Sequence, residues 1–171
     1  MRLRPLLASH PKAISAAVVL LLALPAAGAL ALAPARPGVD FEFTLLDGTG
    51  GRVSDHRGRV VLLDFMATWC VPCQLAMPKL NALRASFSPD FVLLSVSVDP
   101  SDSAAGLGAF RATYNGTWPF AVLPDPDAVT EAYGIKEIPT YVLLDRSGRM
   151  VTAVLGFFDY DRMTAEIQRL L

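Results

Sequence analysis

Cysteine is scarce in this chain: Cys70 and Cys73 are the only two among 171 residues. Histidine is equally scarce, with His10 and His56 the whole supply. A structural zinc site needs four ligands, so this inventory argues against metal and no metal ligand is assigned. Charge is missing from Ala13 to Ala33, a run without Asp, Glu, Lys or Arg. A basic excess is also missing. Arg2, Arg4, Lys12 and Arg36 precede Gly38, which leaves 11 basic against 16 acidic residues and a net charge of −5. That is the wrong sign for a nucleic-acid partner. No repeat or low-complexity tract follows residue 38. The roughly 134 residues there can bury a core without a disulfide staple, which leaves the cysteines available for chemistry.

The uncharged run follows Arg2, Arg4 and Lys12. Its core, Ile14 to Leu24, has the length of a signal-peptide apolar region, and small residues follow from Ala26. Taken whole it is long enough to span a bilayer despite Pro25. Basic residues before it, and only Arg36 just after it, orient the N-terminus inside and the rest outside. A cleaved signal and an uncleaved anchor both fit, and the length favours the anchor. The expected organisation is a signal peptide or membrane anchor over 1–33, a proline-stiffened linker over 34–38 and one domain over 39–171. The expected location is extracytoplasmic: periplasmic, or on the outer face of the cytoplasmic membrane.

Within the domain, Phe41 to Leu45 alternates as a strand does, and Arg52-Val53-Ser54 reads as a short returning hairpin arm. Val60 to Met66 is a buried strand. From Gln74 to about Phe87, apolar residues recur at helical spacing, with Pro72 suited to the first turn and Pro78 inside. Phe91 to Val98 is a second buried strand, and Ser101 or Asp102 is placed to cap a helix ending near Tyr114. Phe120 to Val122 reads as a strand and Pro126 to Tyr133 as a helix. Thr140 to Leu144 and Met150 to Leu155 pair about a turn, and Asp159 to Leu171 closes the chain as an amphipathic helix. The order implies an α/β fold, a mixed sheet covered by helices on both faces.

The cysteine pair therefore sits where a buried strand becomes a helix. A disulfide closing so small a loop constrains the unfolded chain little, so thiol–disulfide exchange is favoured over a structural bridge. Cys70, at the helix N-terminus, is the expected exposed nucleophile, because free N–H groups and the helix dipole favour a thiolate. Cys73, one turn inside, is the expected resolving thiol. Asp64 interrupts an apolar strand six residues before Cys70. Strand alternation points it beneath the pair, where burial raises a carboxyl pKa toward neutrality.

Asp64 to Cys73, Pro78, and Tyr133-Gly134-Ile135-Lys136-Glu137-Ile138-Pro139-Thr140 together resemble the thioredoxin superfamily. Ala67-Thr68-Trp69-Cys70, the leading hairpin arm and an insertion over roughly 100–126 are similar to its exported TlpA/ResA-like branch, which includes the cytochrome c maturation thioredoxins. The resemblance spans about 41–171. It implies a thioredoxin fold with an N-terminal β-hairpin extension and a central insertion. It also implies a cis bond between Ile138 and Pro139 that offers the Ile138 backbone to an extended substrate. Trp69, Pro72, Ile138, Pro139 and Thr140 are the implied substrate-binding residues. The lysine that neighbours the buried acid in thioredoxins falls at Ser95 here.

The implied activity is protein-disulfide exchange needing no cofactor beyond the Cys70–Cys73 redox disulfide. The implied partners are protein thiols and disulfides, apocytochrome c among them, with a membrane electron donor; reduction is the favoured direction. Two alternatives stand beside it. A peroxiredoxin-like peroxidase would want Thr and Pro where Ala67 and Leu63 stand. A copper-binding assembly factor of thioredoxin-like fold would want a distant histidine, and none follows His56.

Overall fold

Two seven-residue strands, β4 (Val60–Met66) and β5 (Phe91–Ser97), run parallel at the centre of the molecule, and every residue in both is buried. Their β-branched and leucine-rich sequences suit strands packed on both faces. The computed structural model describes residues 36–87 and 89–171. The segment 1–33, expected to be a signal or anchor, lies outside the described residues. Among the described residues, no helix is long and apolar enough to cross a membrane.

The other strands are β1 (Arg36–Pro37), β2 (Glu42–Leu45), β3 (Gly50–Arg52), β6 (Phe120–Val122), β7 (Thr140–Leu144) and β8 (Arg149–Leu155). The helices are α1 (Val71–Ser86), α2 (Ala104–Thr113), α3 (Pro126–Tyr133) and α4 (Tyr160–Leu170). One mixed sheet runs in the order β1-β8-β7-β4-β5-β6-β2-β3. The expected hairpin extension continues it, because β2 pairs antiparallel with β6, the strand of the insertion.

The core divides between the sheet's two faces. On one, Val60, Leu62, Met66, Phe91 and Leu93 meet α1 (Cys73, Met77, Leu80, Leu83), α2 (Leu107, Phe110) and α4 (Met163, Ile167). On the other, Val61, Leu63, Phe65, Val92, Leu94 and Val96 meet Val129 of α3 and Phe41, Phe43 and Val53 of the N-terminal extension. Period-two alternation along β4 and β5 sends neighbouring residues to opposite faces.

Three expectations change. Arg36 and Pro37, assigned to a linker, form β1 and pair with Met150 and Arg149 of β8, so the folded unit begins before Val39. A proline is compatible with such an edge, where no ladder N–H is needed. The return arm of the hairpin is Gly50–Arg52, and Val53–His56 forms a 3₁₀ turn. The cap of α2 is Ser103, whose hydroxyl accepts from the Gly106 amide. Asp102 instead accepts from the Thr68 amide, the Thr68 hydroxyl and the Ser97 hydroxyl. Its carboxylate is committed to the segment before Cys70.

Candidate active site

Strand β4 ends at Met66, and three residues, Ala67, Thr68 and Trp69, bring the chain to Cys70, the N-cap of α1. Cys70 Sγ accepts from the Cys73 amide at 3.2 Å, and the Cys70 carbonyl accepts the first helical bond from Gln74 at 3.0 Å. The first turn of α1 contains no acidic residue. The sulfur therefore sits on the positive end of a 16-residue helix, which favours a thiolate on reduction. Pro72 lies exposed in that first turn, where no intrahelical N–H is lost.

Cys70 and Cys73 are joined as a disulfide, with Cα atoms 5.2 Å apart. Cys70 does not meet the expectation of exposure: in this oxidised form it is 2% exposed and Cys73 is 3%. Bonded to Cys73, its sulfur is drawn over the helix end into the core cluster. The exposed residues are its neighbours, Trp69 at 63% and Val71 at 58%.

Two carboxylates from the loop after β5 hold the residues ahead of Cys70. Asp102 grips Thr68 at its amide (3.0 Å) and hydroxyl, and Asp99 accepts from the Trp69 indole N–H. Bonds from Ser101 and Trp69 keep the Asp99 carboxyl below its usual range. Trp69 is thus a pinned, solvent-facing aromatic, which suits it to docking.

Asp64 falls on the α1 face of β4, alternating with Leu62 and Met66, and is 2% exposed. Its Oδ2 accepts from the Ser95 hydroxyl at 2.6 Å, directly across the β4–β5 pair. Its Oδ1 accepts from no protein group. Burial pushes the carboxyl up to about 7, and the Ser95 bond offsets this only in part. Tyr141, its partner on β7, is fully buried with an unpartnered hydroxyl. Burial, and secondarily the Asp64 charge, push that phenol well above its usual range.

The Ile138–Pro139 bond is cis. Thr140 opens β7 opposite Phe65 of β4, which places the cis bond beside the strand end leading to Cys70. The Pro139 carbonyl accepts from the Gly156 amide at 2.8 Å. Ile138 is half-buried against the cluster containing both cysteines, whereas Pro139 and Thr140 are buried. The Thr140 hydroxyl donates to the Glu137 carbonyl at 2.7 Å. Thr140 therefore shapes the turn, and Ile138 is the residue that meets the surface.

Sequence reasoning missed a groove of about 380 Å³ between α1 and the loop after β8, lined by Pro72, Leu75, Lys79, Phe157 and Phe158 among others. Leu75 is 74% and Phe157 76% exposed. Lys79 Nζ lies 4.1 Å from the Phe157 ring centroid and donates to the Phe158 carbonyl at 3.0 Å. The available signal was Leu75, an apolar residue off the buried stripe of Cys73, Ala76, Met77, Leu80 and Leu83.

His56 belongs to the N-terminal extension, stacked on Phe43 and bonded to Arg59. Among the described residues no group of three or more His, Cys, Asp or Glu stands together as metal ligands. Ala67 and Leu63 are fully buried and apolar, so neither offers a hydroxyl to a peroxide at Cys70.

The AhpC/TSA family model matches residues 34–153. The chain belongs to this family. Its ResA-like character comes from closer likenesses. The thiol-disulfide oxidoreductase ResA of Geobacillus thermodenitrificans is 31% identical over 126 residues, 74% of this chain and 71% of that protein. A thiol:disulfide interchange protein assigned as DsbE, from Chlorobium tepidum, has a structure with TM-score 0.67 and 30% identity, covering 80% of this chain and 94% of its own. The exposed lipoprotein thioredoxin of Streptococcus pneumoniae has TM-score 0.64 and 29% identity, covering 77% and 100%. The fold is that of thioredoxin, and the activity is thiol–disulfide exchange with protein substrates through a Cys-x-x-Cys pair.

Proposed function

We propose that this chain is an extracytoplasmic reductant of protein disulfides, anchored through residues 13–33. Apocytochrome c is its first candidate substrate, and a membrane electron donor returns it to the dithiol form. Cys70 thiolate attacks a substrate disulfide, forming the Cys70–substrate bond and releasing one substrate thiolate. Cys73 gives its proton to Asp64, and its thiolate attacks Cys70 Sγ. The Cys70–Cys73 disulfide forms, and the second substrate thiolate leaves. Two electrons pass to the substrate.

The observation that supports the assignment of Asp64 is a carboxyl buried on the α1 face of β4 with one oxygen unpartnered, and burial pushes it up to about 7. At that value it accepts a proton in one step and releases it in the next. The reducing direction is supported by Asp99 and Asp102, whose carboxylates grip the two residues before Cys70. Negative charge there opposes the thiolate that the helix N-terminus favours and so shifts the balance toward the disulfide form, the reverse of strongly oxidising proteins whose reduced form is stabilised. The apolar run at 13–33 and the exposed lipoprotein relative support the location.

A Cys73→Ser variant in the native host tests the substrate. It should retain apocytochrome c as a mixed disulfide with Cys70, and recovery of only cytosolic proteins would overturn the location and the substrate together. Equilibration with glutathione tests direction. A potential near the roughly −270 mV of thioredoxins supports a reductant, and one near −120 mV makes the chain an oxidant.

A further inference from the structure

The insertion between β5 and β6 reaches the buried carboxyl through two side chains that the exchange chemistry does not itself use. Trp118, 2% exposed and stacked on Phe120, donates its indole N–H to Ser95 Oγ at 2.8 Å. Ser95, fully buried, donates to Asp64 Oδ2 at 2.6 Å. The Ser95 amide is also held, by the Pro119 carbonyl at 3.1 Å. An indole N–H can only donate, and a serine hydroxyl has one hydrogen. Ser95 must therefore accept from Trp118, and its single hydrogen goes to Asp64. With Asp64 ionised, the direction of the chain of bonds is forced.

We infer that Ser95 and Trp118 are positioning residues for Asp64, a one-way relay that occupies Oδ2 and leaves Oδ1 as the atom that exchanges a proton. No proton leaves Ser95 or Trp118 in this arrangement. Oδ1 is the oxygen without a protein partner, so a proton taken up there leaves the Ser95 bond intact. Held this way, the carboxyl cannot turn to exchange its two oxygens without breaking the Ser95 bond, and its open oxygen stays on the α1 face. Tyr141 on β7 is the titratable group directly across the sheet from Asp64, and α1 and α4 pack on the same face through Cys73, Met163 and Ile167. The relay thus gives the insertion control over the pH at which the site works. This inference rests on Asp64 acting as the proton acceptor for Cys73.

Carbon-13 NMR titration of the Asp64 carboxyl in the full chain reads the relay without reading activity. Ser95→Ala should raise the proton affinity of Asp64 about tenfold, because a donor to the carboxylate is lost. Trp118→Phe keeps an aromatic in place and should raise it by less, roughly threefold, by freeing the Ser95 hydroxyl to rotate. In the Ser95→Ala background, Trp118→Phe should add nothing. An unmoved midpoint in Ser95→Ala, or equal effects of Trp118→Phe with and without Ser95, overturns the relay. The proton-acceptor role is read separately, as the rate of mixed-disulfide resolution in Asp64→Asn. If that rate is unchanged while the Ser95→Ala titration moves, the relay survives as a clamp on the carboxyl and the acceptor role falls.

Discussion

The two faces of the sheet share their strands yet bury different kinds of atom. The face under α3 and the N-terminal extension packs Val61, Leu63, Phe65, Val92, Leu94 and Val96 against aromatics, with Phe41, Phe65 and Tyr133 in mutual ring contact. Its polar atoms are satisfied: the Tyr133 hydroxyl donates to the Val39 carbonyl and the Thr140 hydroxyl to the Glu137 carbonyl. The face under α1 buries Asp64, Ser95 and Tyr141 among its apolar residues, and leaves Asp64 Oδ1 and the Tyr141 hydroxyl unpartnered. An unpaired buried polar group costs roughly 1–3 kcal/mol. One face is built for cohesion, and the other gives up some cohesion to bury the carboxyl that is proposed above as the proton acceptor.

The sharpest way to break this comparison is Cys70→Ser. Exchange should fall to the uncatalysed background while the melting temperature of the reduced protein barely moves, as measured by insulin reduction and calorimetry. Next in size is Phe65→Ala on the cohesive face. It should cost about 3–5 kcal/mol in denaturant unfolding and leave exchange per folded molecule intact; a selective loss of exchange would mean that the faces are not separate.

Asp64→Asn sharpens the contrast in two ways. Resolution of the mixed disulfide at pH 7 should slow roughly a hundredfold. Stability should also lose a specific pH dependence. The folded carboxyl titrates near 7 and its ordinary value is 3.8, so between those values the folded state holds a proton that the unfolded state has released. Wild-type stability is therefore full below about pH 4, falls as pH rises through about 7, and then levels. The variant should lack that fall, on the order of 4 kcal/mol, in urea titrations across pH 4 to 8. Parallel curves for the two proteins would contradict the burial argument. The smallest effect is expected from Trp69→Ala, which removes the exposed indole pinned by Asp99. The KM for a protein disulfide should rise about tenfold, with kcat falling less, and an unchanged KM would remove Trp69 from the docking surface.

Much of the site was legible because its parts are local. A strand that reads Val-Val-Leu-Leu-Asp-Phe-Met announces its own odd residue, and Pro72 just after Cys70 marks a helix start. The resemblance carried the cis bond at Pro139, which no local rule supplies. What stayed hidden depends on contacts between distant segments. Asp102 looked like a helix cap because caps are judged from neighbouring residues, yet its carboxylate is taken by Thr68, 34 positions away. Phe157 and Leu75 line one groove although they are far apart in the sequence, and no periodicity joins them.

By itself the sequence determined the dithiol, its place at a strand-to-helix junction, and the isolation of Asp64 in an apolar strand. Backbone periodicity and helix-end chemistry act over a few residues, so these could be read directly. Tertiary structure alone decided that Cys70 is buried while disulfide-bonded, that Asp99 and Asp102 hold the residues before it, and that Trp118 reaches Asp64 through Ser95. Those outcomes turn on which strand lies beside which and on whose hydrogen fills which lone pair. Such facts exist only once the chain has closed on itself.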